Sequence, residues 1–414
     1  MQQQTTDVET GANQQTIMRA NTIQTMVFAI LGLVSLWPYN FLLQSLGYFC
    51  VYLGKGFASH SHVVYGIAAN LAQVLSLCFL SKTNFGTRIT VSCMMISIVS
   101  LVYSCITLHN DIAHLPAIGL GLAFLLGFFN SMIQSAGSQL AGRYSDCITW
   151  LFLGQSLSGL FPWPITVGMN FLFRGIGLSP ERLGDQLTSS MDKATAFTSM
   201  VIGGLVPLLF LILFWLAFDN PNAQYTASNK TKSHRTSMWI TFKSIHGIAI
   251  LCGSTFLISF IMYPRELMKW QPSTYANIYP NGEYFYGSLL VYIAIVFDVL
   301  GMYVPSNFRI EFSYKWMTAI GYMRILFVPL FALCSLEVPI LSSDPMEMIF
   351  VMFMSFSGAF VLAWALNCAQ HMAPENEGET VGIIMSFLLT SGMSIGAAIG
   401  SVIDLLFNCA RTNM

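Results

Sequence analysis

Two charged side chains stand where water should not reach. Asp298 lies in the run IVFDVLGMYVP and Arg324 in GYMRILFVP, both inside long apolar stretches. A charge at the centre of a membrane-spanning helix costs roughly 2.5 to 3.5 kcal/mol, so each must face protein or an internal wet cavity. Either the two form a structural ion pair, or at least one of them touches a polar solute. Asp404, near the end of the last apolar run, carries the same signal more weakly. Metal chemistry finds no support: six of the seven histidines sit at or beyond the ends of the apolar runs. The nine cysteines are scattered, odd in number and without a CxxC pair, which reads as small apolar residues rather than a disulfide framework. The acidic segment PENEGET at 374–380 has no histidine or nucleophile beside it. It reads as a solvated loop whose glutamates favour the dipole of the following helix.

Neutral polar groups add a second kind of chemistry, hydrogen bonding to something flat. Gln155, Ser158, Pro162, Thr166 and Asn170 recur at helical spacing, as do Asn130, Gln134 and Ser138. Such stripes are either bonds between helices or the wall of a wet cavity, and the presence of Asp298 favours the cavity. In SLWPYNFLLQSLGYF, residues 35–49, Pro38 has no N–H and releases the carbonyl of Val34, while Leu36, Asn40, Leu43 and Gly47 share a face. A helix broken at Pro38, with an inward amide at Asn40 and an aromatic ring at Tyr39, suits a midplane site for a flat polar solute. A kink that serves packing alone is the alternative.

The elements that position these groups follow from composition. Of 414 residues, 55% are hydrophobic and 9% charged, and the formal net charge is −1. That excludes a soluble domain and gives no basic field for nucleic acid. A crossing needs about 20 mostly apolar residues. Eleven runs qualify: 26–49, 62–80, 89–108, 115–140, 148–173, 195–218, 239–263, 285–305, 317–336, 346–369 and 380–407. Backbone groups in lipid must be satisfied internally, and these lengths exceed barrel strands, so the expected fold is an all-α integral membrane protein. The polar stretch 219–238 separates an N-terminal bundle of six helices (26–218) from a C-terminal bundle of five (239–414), and residues 1–25 form a polar tail. The tail lacks the pattern of a cleavable signal peptide, so the first helix is the insertion signal. The balance of Lys and Arg, including Lys230, Lys232 and Arg235, favours a cytosolic N-terminus and an extracellular C-terminus. The sequon at Asn229 then stays unmodified.

Five segments in order resemble the equilibrative nucleoside transporters. LGLVSLWPYNFLLQSLGYF is similar to that family's first helix, with Tyr39 where tryptophan is usual. FLGQSLSGLF resembles its fifth-helix element, FDVLGMYVP its eighth, YMRILFVPLFALC its ninth, and NEGETVGIIMSFLLTSGMSIGA its closing helix. The resemblance implies two pseudosymmetric bundles of the major facilitator type, alternating access, and nucleosides or nucleobases as solutes. By position it implies that Leu36, Tyr39, Asn40 and Leu43 line the first-helix wall, that Gln155 bonds the base, and that Asp298 meets sugar hydroxyls or ring nitrogens. Where the family carries arginine, four residues after the aspartate, this chain has Met302. Methionine has no donor to offer a carboxylate. Either Arg324 reaches Asp298 from the next helix, or Asp298 carries a proton for part of the cycle.

The expected activity is facilitative movement of nucleosides or nucleobases, with proton-coupled uptake as the alternative and a membrane receptor for the same solutes as a rival of another class. The expected partners are the solute, the lipid bilayer and, for the coupled alternative, protons. No cofactor is implied. With no sorting signal in view, the plasma membrane is the expected location.

Overall fold

The computed structural model describes residues 22–54, 57–79, 83–108, 115–144, 147–178, 189–217, 238–262, 267, 270, 272, 283–307, 313–336, 338–374 and 377–412. The polar tail up to residue 21 and the stretch 218–237, Asn229 included, lie outside them. The helices are α1 (Thr22–Gln44), α2 (Leu46–Leu53), α3 (Phe57–Cys78), α4 (Phe85–Leu108), α5 (Leu115–Ala141), α6 (Cys147–Leu160), α7 (Pro162–Gly175) and α8 (Ser190–Ala217), then α9 (Met238–Met262), α10 (Glu283–Asn307), α11 (Tyr314–Met323), α12 (Phe327–Ser335), α13 (Asp344–Met372) and α14 (Gly378–Thr412). Among the described residues, ten segments are long and apolar enough to cross a membrane; α11 and α12 count as one of them. The chain is a multi-pass membrane protein. Phe171, Leu209, Leu216, Trp316 and Phe353 project outward from it, as lipid requires.

Proline placement explains where the expected crossings bend, and corrects one expectation. The run expected at 148–173 is divided at Phe161 into two helices of 14 residues. Pro162 and Pro164, two residues apart, each remove an amide donor from the ladder at that point. In the run expected at 317–336, Arg324–Leu326 tighten into a 3₁₀ turn just ahead of Pro329. Pro38, by contrast, does not break its helix: α1 continues through it to Gln44, and the interruption comes at Ser45. One missing donor is tolerated in a buried helix whose neighbours pack around it.

Helices α1–α8 pack chiefly on one another, as do α9–α14, and the two groups meet where α14 crosses α3 and α5 and where α6 runs beside α10. Close approach between helices needs residues without side chains. A Cβ at Gly154 would overlap the backbone of Ala29, and one at Gly32 that of Leu151, which locks α1 onto α6. The end of the molecule where α1 begins is its lower end, and the end where α1 finishes its upper end. At the lower end the groups are fastened together. Arg143 Nε pairs with Glu379 Oε1 at 2.7 Å, Thr149 donates to Asn367 Oδ1 at 2.5 Å, and Gly142 and Gly378 meet backbone to backbone. The segment expected as a solvated acidic loop is therefore different where it is described. Glu377 and Glu379 are buried, Thr380 donates to Glu377 at 2.6 Å, and Glu379 reaches across to the other group. A cation on the facing helix end made burial affordable, and no local sequence pattern carries that.

Candidate functional site

Above the lower contacts lies a cavity between the two groups of helices. Counting its mouth, it holds about 1030 Å³ of space not filled by atoms. Leu36, Tyr39, Asn40 and Leu43 from α1, together with Gln155 and Ser156 from α6, form one wall. Thr255, Phe256, Ser259 and Phe260 from α9, Asp298 from α10 and Met354, Ser355 and Gly358 from α13 form the other. Leu43 and Phe260 stand close to the last turns of α1 and α9, so the cavity reaches toward the upper end while the lower end is sealed.

Helical phase decides what each group offers. Asp298 accepts a hydrogen bond from the Ser156 hydroxyl, which ties α10 to α6 across the cavity. The Gln155 amide donates to Ser35 Oγ at 3.1 Å. The Asn40 amide donates to Ser158 Oγ at 2.6 Å, and that hydroxyl in turn donates to the carbonyl of Gln155 at 2.5 Å. Each of these two amides spends one N–H on the protein, and Gln155, Asn40 and Asp298 bring side-chain carbonyl and carboxylate oxygens to the lining. Aromatic rings of Tyr39, Phe152, Phe256 and Phe260 stand around the cavity. It suits a flat solute that carries several N–H or O–H donors.

Six of the seven residues expected to touch solute, Leu36, Tyr39, Asn40, Leu43, Gln155 and Asp298, line this one cavity. Met302 does not. It is fully buried in the apolar core. One turn along α10 from Asp298, the helix has already passed below the cavity floor. The expected ion pair is also absent among the described residues. Arg324 donates instead to the Thr255 carbonyl at 2.9 Å, the Ser259 hydroxyl at 2.7 Å, the Met354 carbonyl at 3.1 Å and the Ser357 hydroxyl at 3.3 Å. Gly358 leaves it room, because a Cβ there would overlap its guanidinium. Arg324 thus ties α9 to α13 from behind the cavity wall.

The polar stripes mostly serve packing, against expectation. Asn170 accepts from Thr195 of α8 at 2.6 Å, Asn130 donates to the Tyr65 hydroxyl at 3.1 Å, and neither they nor Ser138 line the cavity. Ser156, Ser259 and Ser355 were missed by the spacing argument. Ser156 directly follows Gln155, and a search for polar pairs about 100° apart on one helix would have found it.

Two groups of membrane helices closed around a central cavity define the major facilitator architecture. Among solved structures, the proton:xylose symporter XylE superposes with a TM-score of 0.60 over 94% of this chain and 89% of that one at 11% identity. The fucose:proton symporter FucP of E. coli does so with 0.54 over 94% and 93% at 13% identity. The family model for nucleoside transporters matches residues 208–405. Nucleoside transporter 1.2 of Leishmania donovani is 23% identical over 181 residues, 42% of this chain and 34% of its own length. Equilibrative nucleoside transporter 2 of Mus musculus is 23% identical over 188 residues, 44% of this chain and 41% of its own length. These matches thus span about a third to two fifths of the relatives' lengths. Over residues 208–405 the chain is thus similar to the nucleoside transporters.

Proposed function

We propose that this protein moves nucleosides and nucleobases across its membrane by alternating access, without covalent chemistry. The observation that carries the reading is the donor–acceptor character of the cavity. Three side chains from three helices, Asn40, Gln155 and Asp298, each carrying acceptor oxygens, line one space bordered by aromatic rings. A nucleoside offers the complement, a flat ring with exocyclic N–H groups and a sugar bearing hydroxyls. The solute enters from the upper end, stacks on Tyr39, bonds Gln155 and Asn40, and engages Asp298 with its hydroxyls or ring N–H. Opening the lower contacts then releases it on the other side. Solute binding lowers the barrier only to the extent that it favours the closed-over intermediate above both open states.

Uptake of labelled adenosine, uridine and hypoxanthine by transport-deficient cells expressing the protein is the test. Saturable uptake competed by unlabelled solute is expected for at least one, and its absence for all three removes the reading. Counterflow in vesicles separates a carrier from a receptor, which binds without exchange. One observation favours a second reading, proton-coupled uptake: among the described residues Asp298 has a hydroxyl partner and no ion pair at contact distance, Arg324 acting on it only through space. A carboxyl so placed can take a proton with the solute and release it below. The plasma membrane, with the N-terminus in the cytosol and the C-terminus outside, is the orientation we assign from the charge balance. Attachment of glycan at Asn229 would reverse it.

A further inference from the structure

Tyr39 is held by a relay of side chains that leads away from the cavity. Its hydroxyl lies 2.9 Å from Nδ1 of His62. Its ring stacks on Tyr65 with 4.1 Å between centroids and 26° between planes, and Asn130 donates to the Tyr65 hydroxyl at 3.1 Å. Tyr39 lines the cavity, whereas His62, Tyr65 and Asn130 stand behind it. His62 is partly exposed and lies in the second turn of α3, at the upper end of the molecule.

We infer that His62 is a positioning residue for the solute, fixing the plane of the Tyr39 ring in a manner that depends on the proton it carries. The inference rests on the reading of the cavity as a nucleoside and nucleobase site. Stacking on Tyr65 leaves the Tyr39 ring free to slide in its own plane, and a bond at the para oxygen removes that freedom. The neutral imidazole meets the phenol either way, as acceptor or as donor, according to its tautomer. The imidazolium can only donate through Nδ1–H, and a charge-assisted bond is shorter and about twice as strong. Protonation therefore tightens the grip on the ring that receives the solute.

From α1 the facing titratable group is Tyr39, and α1, α2, α3 and α5 contain no Asp or Glu. Helix α3 itself adds His60, Tyr65 and, at its far end, Cys78, and α2 adds Tyr48, Cys50 and Tyr52. Helix α5 has no titratable side chain, and α14 contributes Glu379, bound to Arg143 at the lower end, with Asp404, Cys409 and Arg411 in its last turns. No carboxylate of α1, α2, α3 or α5 competes for the imidazolium.

The test is the KM for labelled adenosine and hypoxanthine in proteoliposomes, with internal pH clamped and external pH stepped from about 7.5 to about 5.5, across the imidazole range. In the unaltered protein KM falls about threefold or more on acidification while the maximal rate holds. His62→Gln keeps a hydrogen bond to the phenol but takes no proton, and its KM is the same at both pH values. His62→Phe raises KM at both, and matched thermal unfolding midpoints confirm that both variants are folded. A KM that still falls with pH in His62→Gln assigns the titration to another group, such as Asp298, and overturns the inference. So does an unchanged KM in His62→Phe. If the unaltered protein takes up neither solute, the nucleoside reading fails and the inference with it; saturable uptake with a KM indifferent to pH sinks the inference alone.

Discussion

Removing the carboxylate of Asp298 separates a solute site from a structural tie. Asp298 lines the cavity and accepts from Ser156, so its side chain can serve the solute, the α6–α10 contact, or both. Hydrogen bonds to a charged group contribute about 1.5 to 3 kcal/mol each. If the solute donates two such bonds, Asp298→Ala loses about 3 kcal/mol or more of transition-state binding, which is about a hundredfold or more in kcat/KM. Asp298→Asn keeps one acceptor oxygen and the link to Ser156, and should lose about tenfold. Ser156→Ala removes only the tie, at about 1 kcal/mol, for a loss below about tenfold. Initial rates of labelled nucleoside uptake, normalised to protein labelled at the cell surface, measure all three. Uptake by Asp298→Ala within twofold of the unaltered protein would refute the site. A loss in Ser156→Ala as large as that in Asp298→Ala would show that the carboxylate only holds helices together.

Two other substitutions probe the frame. Glu379→Gln breaks the half of the lower seal that depends on charge; removing one partner of a buried pair costs up to about 3 to 5 kcal/mol, less here because its side chain is 11% exposed. The population open below should rise, and a cysteine placed at Ser138 should react faster with a thiol reagent from that side; an unchanged rate means the pair does not hold the seal. Gly154→Val drives a side chain into the backbone of Ala29 and should prevent α1 from seating on α6, so little folded protein is recovered after solubilisation; an unfolding midpoint equal to that of the unaltered chain would refute the contact.

Hydropathy carried the helical plan because lipid leaves the backbone no choice. Every apolar run of sufficient length had to satisfy its own amides, and each expected run is occupied by helix within a few residues of its expected ends. The wall on α1 was also legible, since Leu36, Tyr39, Asn40 and Leu43 share an arc of one helix and no other segment is needed to see it. Partners across helices were not. The helix break at Pro38, the Asp298–Arg324 pair, the cavity role of Met302 and the solvated PENEGET loop each assumed a neighbour, or the lack of one, that the linear chain does not specify. Ser45 interrupts α1 in place of Pro38, Ser156 stands where Arg324 was expected, and Arg143 draws Glu379 into the interior.

The sequence alone determined that the chain is a membrane-spanning array of helices and that Asp298 must face inward, because a charge in hydrocarbon costs more than any local preference returns. It could not determine which polar stripe faces water and which faces another helix, since both obey the same 3.6-residue period. That choice belongs to the tertiary structure. Glycine contacts such as Gly32 with Leu151 and Gly154 with Ala29 fix how α1 and α6 are rotated against each other, and that rotation turns Gln155 and Ser156 toward the cavity, while the break at Phe161 puts Asn170 on α7, where it bonds Thr195 of α8.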